Sequence, residues 1–280
     1  MSIAQLRSVY HRTLCAQVLS EEKGVPNIAD SDSPISVAVA REMVGQLDYP
    51  LAEKAPVGQT AGHFFEQFTR KFLKDSFELL QHIRPGEWKF SMGKISRYEQ
   101  YEHLAALQRL LEERPELKAT LGGEYLVTPD IVIGRRPLSD DEINQFGPVI
   151  DDSEMLCRLT PLRARNRPKT CWILHASISC KWTIRSDRAQ NVRTEGVNLI
   201  RNRKGHTPHI VAVTAEPLPT RLASLALGTG DLDCVYHFAL PELRSATERV
   251  GGPEQLEMLL AMIDGRRLRD ISDLPFDLAA

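Results

Sequence analysis

Apolar positions Leu6, Tyr10, Leu14 and Val18 recur every three to four residues, which predicts an amphipathic helix over residues 1 to 20. Gly, Pro, Asn, Asp and Ser then crowd residues 21 to 36, a composition that favours turns. A second helix is expected from Val37 to Leu47 and an irregular stretch from Asp48 to Gly58. A third helix opens at Thr60 as its N-cap and runs to Gln81, with Ala61, Phe65, Phe68 and Phe72 as its buried stripe. Glu66 lies beside that stripe, and its spacing alone reads as one half of a solvated i,i+4 ion pair with Arg70.

Residues 83 to 94 form a connector holding a short strand around Trp88 to Phe90. Tyr98 to Glu113 reads as a helix with Tyr101, Leu104 and Leu111 on one face, ended by Pro115. Val127 to Val132 predicts a strand with Asp130 in its middle, where a charge needs a partner, a metal or exposure at a cleft. The polar stretch Gly134 to Lys169 carries Asp140, Asp141, Glu142, Asp151, Asp152 and Glu154, then Arg158, Arg163, Arg165, Arg167 and Lys169. Its basic half reads equally as a phosphate contact or as solvated surface.

The stretch His175 to Glu195 holds the rest of the pattern together. It predicts a strand ending on Ser179, Cys180 and Lys181, a turn with Arg185, Asp187 and Arg188, and a helix reaching Glu195. His209 to Thr214 and Tyr236 to Leu240 follow as strands, and Pro253 to Ile263 as a closing helix. Strand, helix and strand from 172 to 214 predict a crossover with a parallel pair in an α/β sheet. No repeat or domain boundary interrupts the chain, so residues 1–280 read as a single domain.

Composition narrows the function. With 280 residues, 42% of them hydrophobic, the chain can bury a full core. Its 35 basic and 37 acidic side chains argue against a protein that coats nucleic acid indiscriminately. Five cysteines without a CxxC pair point to reduced thiols, and no apolar run resembles a signal peptide or membrane span, so a cytoplasmic protein without a membrane partner is expected. Eight histidines without HxxxH or HxH argue against a zinc enzyme. The run LGTGD (227 to 231) lacks the Gly-Lys-Ser/Thr ending of a phosphate-binding loop.

Against that neutral background one element is strongly positive. Arg185, Arg188, Arg193, Arg201, Arg203 and Lys204 stand against Asp187 and Glu195, which suits phosphate contact. Arg185, Asp187 and Arg188 cluster at the helix start. Arginine can bind guanine bidentately and aspartate can accept from the cytosine amino group, so the cluster suits G·C pairs; a self-compensating surface cluster is the alternative. Glu195 follows Arg188 by seven residues, two helical turns or roughly 10 Å on nearly the same face.

A strand Asp, a strand Lys and a helix Glu are the parts of a metal and phosphate site. Phosphodiester hydrolysis needs an activated water and relief of charge on the phosphoryl oxygens, which magnesium held by one or two carboxylates and a main-chain carbonyl supplies. Asp130 and Glu195 are the candidate carboxylates and the Cys180 carbonyl the candidate third ligand. Lys181 alternates to the same side as Ser179, where its ammonium could touch the scissile phosphate. An exposed lysine, ordinary small residues at a strand end and an ion-paired Glu195 remain the bland alternatives.

The pattern Pro129-Asp130, Ser179-Cys180-Lys181 and Glu195, with Arg185-Ser186-Asp187-Arg188 between, resembles the CCGG family of type IIF restriction endonucleases. The likeness is densest in LHASISCKWTIRSDRAQNVRTEG (174 to 196), PHIVAVTAEP (208 to 217) and LGTGDLDCVYHFAL (227 to 240). It implies the PD-(D/E)XK restriction-endonuclease-like fold, a central mixed β-sheet flanked by α-helices. Where that superfamily has an acid two residues before the lysine this chain has Ser179, and the resemblance implies that Glu195 replaces it. It also implies that Glu66 is an active-site acid, that Arg185, Asp187 and Arg188 read CCGG, and that Asp30, Gln59 and Arg221 contact an outer pair, with Asp32 a neighbouring competitor for Asp30. Implied in turn are Mg2+, cleavage of double-stranded DNA as G^CCGGC, a homotetramer built as a dimer of dimers, and a cognate DNA methyltransferase in a prokaryote. A structure-specific repair or recombination nuclease of the same fold and a non-cleaving DNA-binding regulator are the other classes to separate.

Overall fold

Ser2 opens the first helix, α1 (Ile3–Gln17): its hydroxyl accepts from the Gln5 N–H at 3.2 Å, and the Gln5 side chain accepts from the Ser2 N–H at 2.8 Å. The computed structural model describes residues 1–54, 56, 58–121, 127–151, 153, 156–164, 171–184, 186–228 and 230–280, with backbone only for 118, 121 and 186–188. Leu6, Tyr10, Leu14 and Val18 are buried, as their spacing requires. Within the stretch read as loop, β1 (Glu21–Glu22) and β2 (Val25–Pro26) form a small antiparallel hairpin that turns at Lys23 and Gly24, both at positive φ.

Helix α2 (Pro34–Leu47) starts earlier than expected, because Ser33 caps the Ser36 N–H and Pro34 lacks only an N–H that the first helical turn leaves unused. Helix α3 (Gly58–Leu79) buries Ala61, Phe65, Thr69 and Phe72, whereas Phe68 is half-buried and stacks on Phe64. Thr69 can occupy the core line because the Tyr10 hydroxyl meets its Oγ1 at 2.9 Å.

The remaining elements follow as β3 (Trp88–Ser91), α4 (Glu102–Glu113), α5 (Pro115–Leu121), β4 (Ile131–Arg135), α6 (Asp140–Ile143), β5 (Ile173–Lys181) and α7 (Ser186–Asn202). After them come β6 (His209–Thr214), α8 (Pro219–Ala226), β7 (Cys234–His237), α9 (Leu240–Ala246), α10 (Pro253–Asp264), β8 (Leu268–Asp270) and α11 (Leu274–Ala279). Strands β3 to β8 lie side by side in chain order in a six-stranded mixed sheet flanked by helices, with β3–β4 antiparallel and β6–β7 and β7–β8 parallel. The expected strand over Tyr236 to Leu240 ends at His237, since Pro241 favours the first turn of α9. No helix among the described residues is long and apolar enough to cross a membrane.

Packing gathers the chain into two compact units, residues 1–85, 178–197 and 209–280, and residues 86–177 and 198–208. In the second unit, the helix expected from Tyr98 begins at Glu102, after two short 3-10 turns. Gln100, inside the second of those turns, is buried, its amide donating to the Leu174 carbonyl at 2.8 Å and accepting from the Leu174 N–H at 2.9 Å. Asp130 lies at a bend just before β4 rather than inside a strand, which spares the ladder a charge and lets Pro129, which has no N–H, precede the pairing. In the polar stretch, Arg163 is 2% exposed and clasps Asp140 at 2.6 and 2.8 Å, so it is committed to an internal pair rather than to phosphate. Arg165, Arg167, Lys169, Asp152 and Glu154 lie outside the described residues.

In the first unit, the ends of the chain are joined. Arg7 on α1 bonds both oxygens of Glu242 on α9 and both of Asp270 on β8, at 2.6 to 2.9 Å. His11, also on α1, donates Nε2–H to the Phe238 carbonyl at 2.7 Å, and burial holds its imidazole below the ordinary histidine range.

Candidate active site

Strand β5 is buried along its whole length until Lys181, which is half-buried. Side chains alternate across a strand, so Ser179 and Lys181 share one side and Cys180 takes the other. The Cys180 thiol faces the core, where it adds to the upward push that burial gives the Tyr10 hydroxyl. That leaves the Cys180 carbonyl, not its sulfur, as the group available for a hard cation.

Helix α7 returns alongside and delivers Glu195. The Ser179 hydroxyl donates to Glu195 Oε2 at 3.2 Å, so the small residue two places before Lys181 orients an acid brought from the helix. The next residue, Gly196, lets α7 pass close to Asp231: a Cβ there would lie 2.3 Å from the Asp231 carbonyl oxygen. Gly196→Ala is therefore expected to push α7 outward, costing about 1–3 kcal/mol and displacing Glu195. Thermal unfolding together with plasmid cleavage checks this, and an unchanged melting point and rate would refute the close-approach argument.

On α3, Phe65 packs edge-on against Trp182, the residue after Lys181, with ring centres 5.2 Å apart. The next residue, Glu66, is half-buried with a carboxylate oxygen 3.6 Å from His63 Nδ1, one turn back, in place of the expected pair with Arg70. Asp30 pairs with Arg221 at a cavity of about 630 Å³ that Thr183 and Ile184 also line. Asp32 lines the cavity too, but its N–H donates to Asp30 Oδ1 at 3.2 Å, and the ion pair with Arg221 belongs to Asp30. Gln59 is exposed in the first turn of α3. Asp130 belongs to the second unit, half-buried beside β4. Arg185 and the side chains of Asp187 and Arg188 lie outside the described residues.

Not every cation of the positive element is available to phosphate. Arg193 donates to the carbonyls of Ser224 and Leu227 at 2.8 to 3.1 Å and to Asp231, capping the end of α8. Arg203 bonds the Ile200 carbonyl within its own turn. Arg267 likewise donates to the carbonyls of Ala226, Gly228 and Leu232, so at Leu227 and Gly228 it is carbonyls that face the guanidinium groups of Arg193 and Arg267, the opposite polarity to a phosphate cradle.

Sequence reasoning passed over Glu216. It is fully buried after β6, and its signal was an acid placed directly behind the apolar run HIVAVTA and before Pro217. Among the described residues no three His, Cys, Asp or Glu side chains converge to hold a metal. The donors that do meet, the Glu195 carboxylate and Ser179 hydroxyl beside a strand carbonyl, are hard oxygens suited to a divalent ion that keeps most of its waters.

A mixed sheet with an acid-bearing helix returning beside a lysine-ended strand is the framework of a restriction-endonuclease-like nuclease. Residues 10–280 match the family model described as NgoMIV restriction enzyme. The type II restriction enzyme NgoMIV of Neisseria gonorrhoeae is 46% identical over 283 residues, which cover 98% of each chain. The chain belongs to the NgoMIV restriction enzyme family and is a DNA-binding, type II site-specific deoxyribonuclease. That family acts with a divalent metal, and the non-cleaving regulator and the structure-specific nuclease give way to it.

Proposed function

We propose that this enzyme cuts both strands of palindromic DNA with a CCGG core, as G^CCGGC with a 5′-CCGG overhang, in the presence of Mg2+. The observation that carries the reading is Glu195 held by Ser179 on the Lys181 side of β5. Bound Mg2+ would relieve charge on the phosphoryl oxygens and acidify the attacking water. Glu195, Asp130 and the Cys180 carbonyl are its proposed ligands, the Asp130 assignment resting on the family resemblance. Ser179 keeps Glu195 aimed, and the Lys181 ammonium neutralises a phosphoryl oxygen as negative charge builds there. Glu66 is the further active-site acid.

Arg185, Asp187 and Arg188 read the central CCGG, and Asp30, Gln59 and Arg221 the outer pair. Residues 1–280 act as one endonuclease domain. A palindrome calls for two-fold protein symmetry, and the family likeness extends this to a homotetramer of back-to-back dimers. The setting is the cytoplasm of a prokaryote whose own DNA a cognate methyltransferase protects.

Digesting genomic DNA with the enzyme and Mg2+ and sequencing the ends tests this directly. Each end should begin 5′-CCGG with G on its upstream side, and chelation should stop cutting. Ends with another core, or nicks that follow DNA structure, would refute the assigned specificity.

A further inference from the structure

Glu216 stands where β6 gives way to α8, without exposed surface. One carboxylate oxygen accepts from the Ile184 N–H at 2.9 Å, the other from the Leu218 N–H at 3.2 Å. Ile184 ends the segment that leaves Lys181 and directly precedes Arg185. Leu218 is the cap residue of α8, which carries Arg221 three residues on. Ile184 and Arg221 line the same cavity, with Asp30 closing its ion pair to Arg221 there. A single buried side chain thus bridges two backbone segments that are otherwise separate in sequence.

Burying a carboxylate is costly, and two backbone N–H donors need only a pair of acceptors. What a carboxylate adds is two strong acceptors on one rigid plane, which fixes the distance between the donors. We propose that Glu216 is a positioning residue for base recognition: it ties the segment leading into Arg185 to the helix carrying Arg221, so that inner-pair and outer-pair readers enter the groove at one separation. This rests on the assignment of those residues as base readers. Neighbouring base pairs are about 3.4 Å apart, so slack of even about 1 Å between the two readers blurs which pair each one contacts.

Glu216 also makes the tie sensitive to pH. Burial pushes its carboxyl up to about 7, against the pull of the Ile184 and Leu218 N–H groups and the Arg221 charge, with Asp30 adding to the rise. Protonation turns one oxygen into a hydroxyl and costs one N–H its acceptor. Among the described residues, the charged groups facing it are Arg221 from α8 and Asp30 from the segment before α2. His237, on neighbouring β7, is held down to about 4 by burial and stays neutral through this window. The tie is complete above neutrality and is lost as pH falls through about 7.

The test uses the full-length enzyme on its own cleavage site, on a duplex altered only at the outer pair, and on random DNA, from about pH 6 to about pH 8.5. Wild-type discrimination against the outer-pair variant should drop about tenfold toward the acid end, the equivalent of one backbone hydrogen bond. Glu216→Gln should show the lowered discrimination at every pH, with random-DNA binding unchanged. Glu216→Gln discriminating like wild type would overturn the proposal, and if that variant does not fold, a flat wild-type profile overturns it instead. Arg221→Ala separates the two layers. Outer-pair discrimination that survives Arg221→Ala refutes the reader assignment, and with it the tie. Its loss in Arg221→Ala but not in Glu216→Gln refutes the role of Glu216 alone.

Discussion

Lys181→Ala is expected to lower cleavage by about a thousandfold while leaving binding to the recognition site in place. Lys181 is the residue at which β5 passes from buried to half-buried, and alternation turns it to the side where Ser179 holds Glu195. Its ammonium is a compact point charge on a flexible stem, suited to following a phosphoryl oxygen as charge develops on it. Removing it takes away stabilisation that grows toward the transition state, so the rate falls and ground-state binding does not. Lys181→Arg should not restore the rate, because a planar guanidinium is bulkier and hydrogen-bonds in a fixed fork. Single-turnover cleavage beside gel-shift binding measures both effects, and cutting that survives Lys181→Ala would remove the lysine from the mechanism.

Arg7→Met should cost about 3–5 kcal/mol of stability, measured by denaturant unfolding at neutral pH. The guanidinium bonds Glu242 and Asp270, and all three side chains are under one-fifth exposed, at 18%, 17% and 10%. Asp270 further accepts from the Leu240 and Ser272 N–H groups and the Ser272 hydroxyl, so it is fixed in place and cannot turn to water if Arg7 is lost. Burial pushes Asp270 and Glu242 upward, and the bonds and charge of Arg7, joined at Asp270 by the Ser272 hydrogen bonds, more than reverse this, leaving both below the usual carboxylate range.

The sign of the pH effect follows. Carboxylates with depressed folded values contribute stability that is complete above their unfolded values, about 4, and lost as pH falls through the folded ones. The gap between wild type and Arg7→Met should therefore be widest near neutrality and narrow in acid. A gap independent of pH would show that the arginine contributes packing and not charge.

The site was legible where it depends on counting along one element. Ser179, Cys180 and Lys181 follow from strand alternation, and the seven-residue step from Arg188 to Glu195 is fixed by the helical repeat. Legibility failed where the partner lies far along the chain. Arg193 looked like a phosphate ligand because nothing nearby in sequence announces the carbonyls of Ser224 and Leu227 that it caps. Arg163 read as one of a basic run, yet it is buried against Asp140, 23 residues earlier. Glu216 read as nothing at all, since its first N–H partner, Ile184, is 32 positions upstream.

By itself, then, the sequence determined the long helices, the strands β3 to β7 and which residue types stand at the end of β5 and along α7, because periodicity, caps and turn residues act over a few positions. Only the tertiary structure decided which charges serve chemistry and which serve the fold. A guanidinium and a carboxylate carry the same signature in either role, and what separates the roles is the set of donors and acceptors that folding brings within about 3 Å.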